Sequence, residues 1–361
     1  MNIYLSAYLD KNLGDDLMIR LLVHSFPEHR FYLYCPDPLY FPDLGAYPNL
    51  QPTSLPVREL GRAKEPRFDT YLRIGGSIFG MRGRRTPFIR YQNALRIGRM
   101  ARKGLKSAII GCNVNRFSSS LARRTAQKEF KTIGLATVRD EASFAFARPL
   151  KNESRLFLCP DMLFSLPDSF YSSTAEKDGP LGVSVYHSKY LTEENKTYCR
   201  TMADFCDRYG EQTGKEIHLL AFDSGRENDR LAAEEILSQM KRREVCKIIA
   251  HRGDGSEMLN AISRCGAIVG TRFHAIVLAL RLGVPFIPIS YSEKTENLLR
   301  DIEYRGPQFD FFPMDNPHTT ERLLQAVLSP EYTVGADPAQ LMKEAGGHMQ
   351  RLREYLDSSA E

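Results

Sequence analysis

Residues 255–290, GSEMLNAISRCGAIVGTRFHAIVLALRLGVPFIPIS, decide the fold. Ser256–Arg264 has helical spacing, with a serine at its start as the cap and Glu257 in its first turn. Gly266–Gly270 is a short apolar strand. His274–Leu282 is a second helix, closed by Gly283, and Val284–Ser290 is a second strand. Helix, strand, helix, strand without a long loop is the pattern of β–α units stacked on a parallel sheet.

The same alternation extends in both directions. Leu181–Tyr186, Glu216–Ala221 and Lys247–Ala250 read as strands, and Arg230–Arg243 reads as a helix. Ser165–Pro180 is rich in Ser, Pro, Asp and Gly without an apolar period, and reads as a linker. Before it, Asn2–Tyr8, Arg30–Cys35, Thr70–Ile74, Ser107–Gly111 and Ala136–Arg139 read as strands, with a helix over Pro87–Lys103. Pro338–Leu356 reads as a final helix. The expected architecture is α/β: two Rossmann-like domains with a cleft between them, at 1–164 and 181–335, joined by the linker 165–180. A C-terminal helix, 336–361, is expected to pack back on the first domain. Ligands of such sheets bind at the carboxyl ends of the strands.

Composition excludes several classes. Of the 361 residues, 42% are hydrophobic and 26% charged, which is globular and neither disordered nor collagenous. Residues 1–16 have no basic leader, and no run approaches the ~20 apolar residues that span a bilayer. The seven cysteines are scattered, with no C-x-x-C pair, and read as small buried residues in a reducing cytoplasm. The histidines have no metal-like spacing, so no metal site is expected. The net charge of +5 hides a segregation: Thr70 to Lys128 holds fourteen basic residues and no Asp or Glu, which leaves the other 302 residues at −9.

Four post-strand segments carry candidate chemistry. Arg272 and His274 lie between a strand ending at Gly270 and the next helix, where free backbone N–H groups and the positive end of the helix dipole meet a ligand. A guanidinium there can grip a carboxylate or phosphate, and an imidazole can move protons near neutral pH. A local salt bridge and a satisfied buried histidine are the alternative, at even odds. Asn12-Leu-Gly14-Asp15-Asp16 lies on the first strand-to-helix turn; its two carboxylates argue against a phosphate cradle and suit sugar hydroxyls, or plain helix capping. Gly75-Gly76-Ser77 permits close backbone approach or simply a turn. In Thr137–Glu141, Arg139 ends a strand and Asp140 can cap the next helix. Lys294, His187 and Asp161 occupy comparable post-strand positions, where solvation or packing is the commoner explanation.

Taken together, NLGDDLM (12–18), IGGS (74–77), TVRDEAS (137–143), PDMLF (160–164), GTRFHA (270–275) and GVPFIPISYSEK (283–294) resemble, in order, the polysaccharide pyruvyl transferase family. Phe273 stands where leucine is more usual, and Ser77 replaces a frequent third glycine. The resemblance implies a two-domain fold of the glycosyltransferase-B type. It implies transfer of pyruvate from phosphoenolpyruvate to a sugar of a surface polysaccharide or exopolysaccharide precursor, as a ketal, with phosphoenolpyruvate as co-substrate and no other cofactor. Arg139, Arg272 and His274 would then meet phosphoenolpyruvate, whereas Asn12, Gly14, Asp15, Asp16 and Gly75–Ser77 would face the acceptor from the N-terminal domain. His274 would be the general acid at C3 or a proton donor to phosphate, and Asp15 or Asp16 would orient or deprotonate the sugar hydroxyl.

Two other classes compete. A glycosyltransferase of the same architecture using a nucleotide sugar would also want Arg272 at a helix N-terminus. A non-enzymatic binder of anionic surfaces would use the basic region 82–128. That region lacks the interleaved aromatics of a nucleic-acid platform, so an anionic membrane, or a lipid-linked acceptor carried on one, is the expected partner and no nucleic acid is. The expected location is cytoplasmic, peripheral on the inner face of the membrane.

Overall fold

A computed structural model describes the chain except residues 46, 62–66, 80–84, 115, 173–177, 189, 191, 313, 315–317 and 359–361. Arg82, Arg84, Asn115 and residues 173–177 of the expected linker therefore lie outside the described residues. Within 255–290 the alternation is as read, with one change of detail: Gly255, in the left-handed region at φ +81°, takes the cap position expected for Ser256, and the Asp254 carboxylate accepts the Ser256 N–H at 3.0 Å.

The chain divides into two compact units. Residues 1–9, 17–165 and 341–361 make the first, and residues 10–16 and 166–340 the second. In the first unit the strands are β1 (Asn2–Ser6), β2 (Arg30–Tyr34), β3 (Leu50–Thr53), β4 (Thr70–Ile74), β5 (Lys106–Cys112), β6 (Leu135–Val138) and β7 (Leu156–Leu158). Its helices are the greater part of α1 (Leu13–Ser25), then α2 (Arg85–Ala101), α3 (Ser120–Thr132) and α4 (Glu141–Ala147). The seven strands are all parallel, in the order β3-β2-β1-β4-β5-β6-β7. Strands buried on both faces read as unbroken apolar runs, as Lys106–Cys112 does with six of its seven residues buried. Asp140 caps α4, its carboxylate accepting the Ser143 N–H at 2.7 Å.

The second unit carries β8 (Leu181–Ser184), α5 (Thr192–Thr213), β9 (Ile217–Ala221), α6 (Asp229–Gln239), β10 (Cys246–Ala250), α7 (Ser256–Arg264), β11 (Ala267–Gly270), α8 (Phe273–Arg281), β12 (Phe286–Ser290) and α9 (Glu293–Asp301). It continues through β13 (Tyr304–Arg305), β14 (Phe309–Asp310), α10 (Thr319–Leu328) and β15 (Thr333–Val334). Six strands pair in parallel as β10-β9-β8-β11-β12-β14. The remaining chain forms α11 (Pro338–Ala345) and α12 (Gly347–Asp357), two helices where the sequence reads as one.

As expected, the C-terminal helix packs on the first unit. The His348 imidazole, fully buried, contacts the Thr137 hydroxyl at 2.6 Å and the Pro160 carbonyl at 2.7 Å. The Tyr355 hydroxyl accepts the Ser107 N–H at 3.2 Å. The half-linker that is described is not a loose tether. Leu166 and Phe170 are buried, and Arg281 donates to the Leu166 carbonyl and the Asp168 carboxylate, both at 2.6 Å. The seven cysteines are buried and free, and no helix among the described residues is long and apolar enough to cross a membrane.

The basic run splits into distinct fates. Half-buried Arg73 and buried Arg90 share one carboxylate, Glu129. Arg96 donates to the Leu60 carbonyl at 3.0 Å, and the Lys106 ammonium reaches the carbonyls of Leu356 and Ser358 at the end of α12. Together with Arg99 and Lys103 these last two line an open groove of about 840 Å³ at the amino edge of the first sheet. Most of the others are exposed on α2, α3 and the chain between them.

Candidate active site

Parallel strands deliver every following loop to one edge of their sheet, and each unit has its own set of polar residues there. In the second unit β8 leads to His187, β9 to Asp223, β10 to His251, β11 to Arg272 and His274, and β12 to Lys294. Residues 10–16 join this set. The expectation that Asn12, Gly14, Asp15 and Asp16 belong to the N-terminal domain is thereby corrected. The Leu13 N–H donates to the Phe222 carbonyl at 2.9 Å, and Asn12 forms an isolated antiparallel bridge with Asp223. The Ser224 N–H donates to the Lys11 carbonyl at 3.1 Å, and the buried Asp10 carboxylate accepts from Arg226 Nε at 2.9 Å.

Asp16, expected at the acceptor, is buried and paired with His251, Oδ2 to Nε2 at 2.8 Å. Burial pushes its carboxyl pKa up, against the pull of His251. The other nitrogen, His251 Nδ1, is buried without a hydrogen-bond partner. Asp15 is half-buried in the same helical turn. Gly14 has a steric reason: a Cβ built on it would fall inside the His274 ring. The backbone of the segment 10–16 is thus one wall of the His274 imidazole. Phe273 is another, edge-on at 5.0 Å between ring centroids.

Arg272 occupies the cap position of α8 with its guanidinium buried. Nε and Nη2 donate to the two oxygens of Asp229 at 2.8 and 2.5 Å, and Nη1 donates to Glu227 at 2.6 Å. The guanidinium lies 4.5 Å over the Tyr186 ring, which stacks on Tyr291 at 4.2 Å. Asp229 is fully buried and also accepts the His187 and Asp223 N–H groups, each at 3.0 Å. Burial raises the Asp229 carboxyl pKa, and Arg272 opposes that rise. Asp223 is pushed up to about 6, chiefly by burial. Protein carboxylates thus engage both edges of the guanidinium, the local salt bridge that the sequence offered as the alternative to a ligand contact. Lys294, in the first turn of α9, places its ammonium 5.6 Å from the Phe273 ring and 5.3 Å from that of Tyr291. His187 Nδ1 sits 2.5 Å from the Glu227 carbonyl.

The first unit carries the second set. Gly75 adopts φ +124°, which only glycine takes without strain, so the chain can turn sharply at the end of β4. Arg139, after β6, is buried; Nη1 pairs with Asp161 at 2.7 Å and Nη2 donates to the Asn113 side chain at 2.6 Å. Gly76 leaves room for it, since a Cβ there would lie 2.5 Å from Nη1. The Ser77 hydroxyl is 3.4 Å from Asn113 Oδ1. Arg139 therefore belongs to the first unit, and Arg272 and His274 to the second. Among the described residues no group of three His, Cys, Asp or Glu side chains is placed to hold a metal ion.

Sequence reasoning passes over His251, Asp223, Glu227, Asp229 and Asn113. His251 and Asn113 follow strands directly, the same signal that singles out Arg272. Asp229 opens a helix and is indistinguishable by sequence from an ordinary first-turn acid.

Known proteins resemble this chain at two levels, fold and family. By fold, the chain is similar to the UDP-GlcNAc 2-epimerase from Methanocaldococcus jannaschii, at 12% identity, covering 98% of this chain and 99% of that one with a TM-score of 0.63. It is also similar to Anabaena HepE, solved in complex with UDP-glucose, at 10% identity, 99% and 98% coverage and a TM-score of 0.57. The UDP-N-acetylglucosamine 2-epimerase from Rickettsia bellii matches at 11% identity, 100% and 97% coverage and a TM-score of 0.57. These likenesses establish two parallel-sheet α/β units of the glycosyltransferase-B type. No curated protein matches by sequence. The family model for polysaccharide pyruvyl transferases, however, matches residues 12–293, the span that runs from the Asn12 turn to the start of α9, and the chain belongs to that family.

Proposed function

We propose that this protein transfers pyruvate from phosphoenolpyruvate to two hydroxyls of a saccharide acceptor, forming a ketal and releasing phosphate. One observation carries the reading: His274 is clamped between the Gly14 backbone and Phe273 at the N-terminus of α8, beside Arg272 and Lys294. In this reading His274 delivers a proton to C3 of the enol, and C2 becomes electrophilic. A sugar hydroxyl attacks C2 and loses its proton, the C2–O bond to phosphate breaks, and a neighbouring hydroxyl closes the ketal, losing its own proton.

The α8 N–H groups and Lys294 supply positive potential for the donor. Asp229 holds the Arg272 guanidinium in plane, and Glu227, 31% exposed, is the partner an incoming anion displaces. Asp15, half-buried in the first turn of α1, orients a hydroxyl in this reading, and Asp16 is paired with His251. Arg139, tied to Asp161 and Asn113, shapes the Gly75–Ser77 turn in the first unit. No metal is required for these steps. The acceptor we assign to surface-polysaccharide synthesis on the cytoplasmic side of the membrane.

Phosphate release from phosphoenolpyruvate, measured over a panel of soluble and lipid-linked glycans, tests the proposal. His274→Ala and Arg272→Ala should each abolish release, and EDTA should leave it unchanged. Normal release by His274→Ala removes the proton-transfer role. The nucleotide-sugar alternative is favoured by the fold shared with HepE, which was solved with UDP-glucose. Thermal stabilisation by UDP- or GDP-sugars, and none by phosphoenolpyruvate, would decide for it.

A further inference from the structure

Helices α2 and α3 lie side by side and run in the same direction. The Thr125 hydroxyl donates to the Pro87 carbonyl at 3.0 Å, Arg90 pairs with Glu129, and Gly98 abuts the Thr132 methyl. Their N-terminal ends are therefore neighbours. On those ends Phe88 and Ile89 are each 54% exposed and Leu121 is 37% exposed. Around them Arg85, Arg123 and Arg124 are exposed.

This placement runs against two ordinary preferences. Helix N-termini favour acids, yet neither helix has one in its first turn, and basic residues stand near both starts. Three large apolar side chains exposed on neighbouring helix ends are unfavourable in water unless something covers them. The local sequence supplies no acid either. From Thr70 to Lys128 there is none, and the next, Glu129, is buried and taken up by Arg73 and Arg90. Helix stability explains neither feature. A partner that is negative at its surface and apolar beneath explains both.

We infer that the adjoining starts of α2 and α3 form a docking surface for a membrane containing anionic lipid. Arg85, Arg123 and Arg124 meet the headgroups, and Phe88, Ile89 and Leu121 enter the boundary between headgroups and acyl chains. Aliphatic Ile89 and Leu121 offer nothing to stack on a base, so a nucleic acid is the poorer fit. The inference stands apart from the donor chemistry and names where the enzyme would meet a membrane-borne acceptor.

The test is co-sedimentation of the full chain with vesicles of phosphatidylcholine alone and of phosphatidylcholine mixed with phosphatidylglycerol. Binding to the mixed vesicles only, weakened by salt, is expected. Arg123→Glu with Arg124→Glu, and separately Phe88→Ser with Ile89→Ser, should each weaken it by about tenfold or more. All four side chains are exposed, and a thermal melt checks that the variants fold. The chain has no tryptophan, so Phe88→Trp gives a single tryptophan, excited selectively over the tyrosines, whose emission should shift to the blue on mixed vesicles. Failure to bind, equal binding to both vesicle types, or binding that ignores both double variants overturns the inference. So does retention on single-stranded DNA that Arg123→Glu/Arg124→Glu removes, without vesicle binding. None of these readouts involves phosphoenolpyruvate, so a failure here leaves the proposed reaction to be judged on its own.

Discussion

Arg139 and Arg272 both end a strand of a parallel sheet, Arg272 beside the central strand β8 and Arg139 further out in its own sheet, and they are held differently. Each follows a strand, each is buried, and each is gripped at both edges of its guanidinium. Arg139 has one carboxylate, Asp161, and one amide, Asn113. Arg272 has two carboxylates, Asp229 and Glu227, with Asp223 packed behind. A buried guanidinium paired with a buried carboxylate holds a turn in place. A guanidinium with more negative charge around it than it can balance is poised for exchange, because an anion can replace the outer, partly exposed partner while the inner one keeps the geometry.

This difference can be broken at its strongest point first. Asp161→Asn removes the carboxylate paired with the buried Arg139 guanidinium, so the first unit should lose about 3–5 kcal/mol in chemical denaturation. A loss below 1 kcal/mol would mean that Arg139 is not held as a pair. In the same unit His348 is fully buried and its pKa is pushed down to about 4, mainly by burial. The unfolded chain then takes up a proton before the folded one. Stability should be full above about pH 6.5 and fall towards pH 4, by up to about 3 kcal/mol. His348→Gln should flatten that slope in denaturation curves at pH 7 and pH 5.

In the second unit Gly14→Ala drives a methyl into the His274 ring. It should reduce phosphate release about 100-fold, while the overpacking costs about 1–3 kcal/mol of stability. Unchanged turnover would detach the segment 10–16 from the chemistry. The smallest effect on the fold is expected from Glu227→Gln, which turns the Arg272 arrangement into one like that of Arg139. Stability should change by less than about 1 kcal/mol, since Glu227 is partly exposed. Phosphoenolpyruvate should bind several-fold more tightly by calorimetry, because a competing carboxylate has been neutralised.

Legibility from sequence followed the range of the interaction. The strand–helix alternation, the Asp140 cap and the post-strand positions of Arg272 and His274 are local, and all were readable. Helix α5 was missed although its buried positions, Tyr198, Cys199, Met202, Phe205, Cys206 and Tyr209, keep helical spacing. That face is built largely from Cys, Tyr and Met rather than Leu and Ile, so its apolar period is faint. The basic run looked like one territory, because a linear sequence cannot tell Arg90 on Glu129 from Arg123 in solvent.

Sequence alone determined the two parallel α/β sheets, the family and the chemical types gathered at the strand ends, because these depend on periodicity and on order along the chain. Only the tertiary structure decided who partners whom. Asn12 meets Asp223, Asp16 meets His251, and Gly14 meets His274, each pair more than 200 residues apart. Contacts at that separation follow from how whole elements pack, and no local pattern encodes them. They moved the Asn12–Asp16 turn to the second unit, and the packing of that unit ties Arg272 to Asp229 and Glu227.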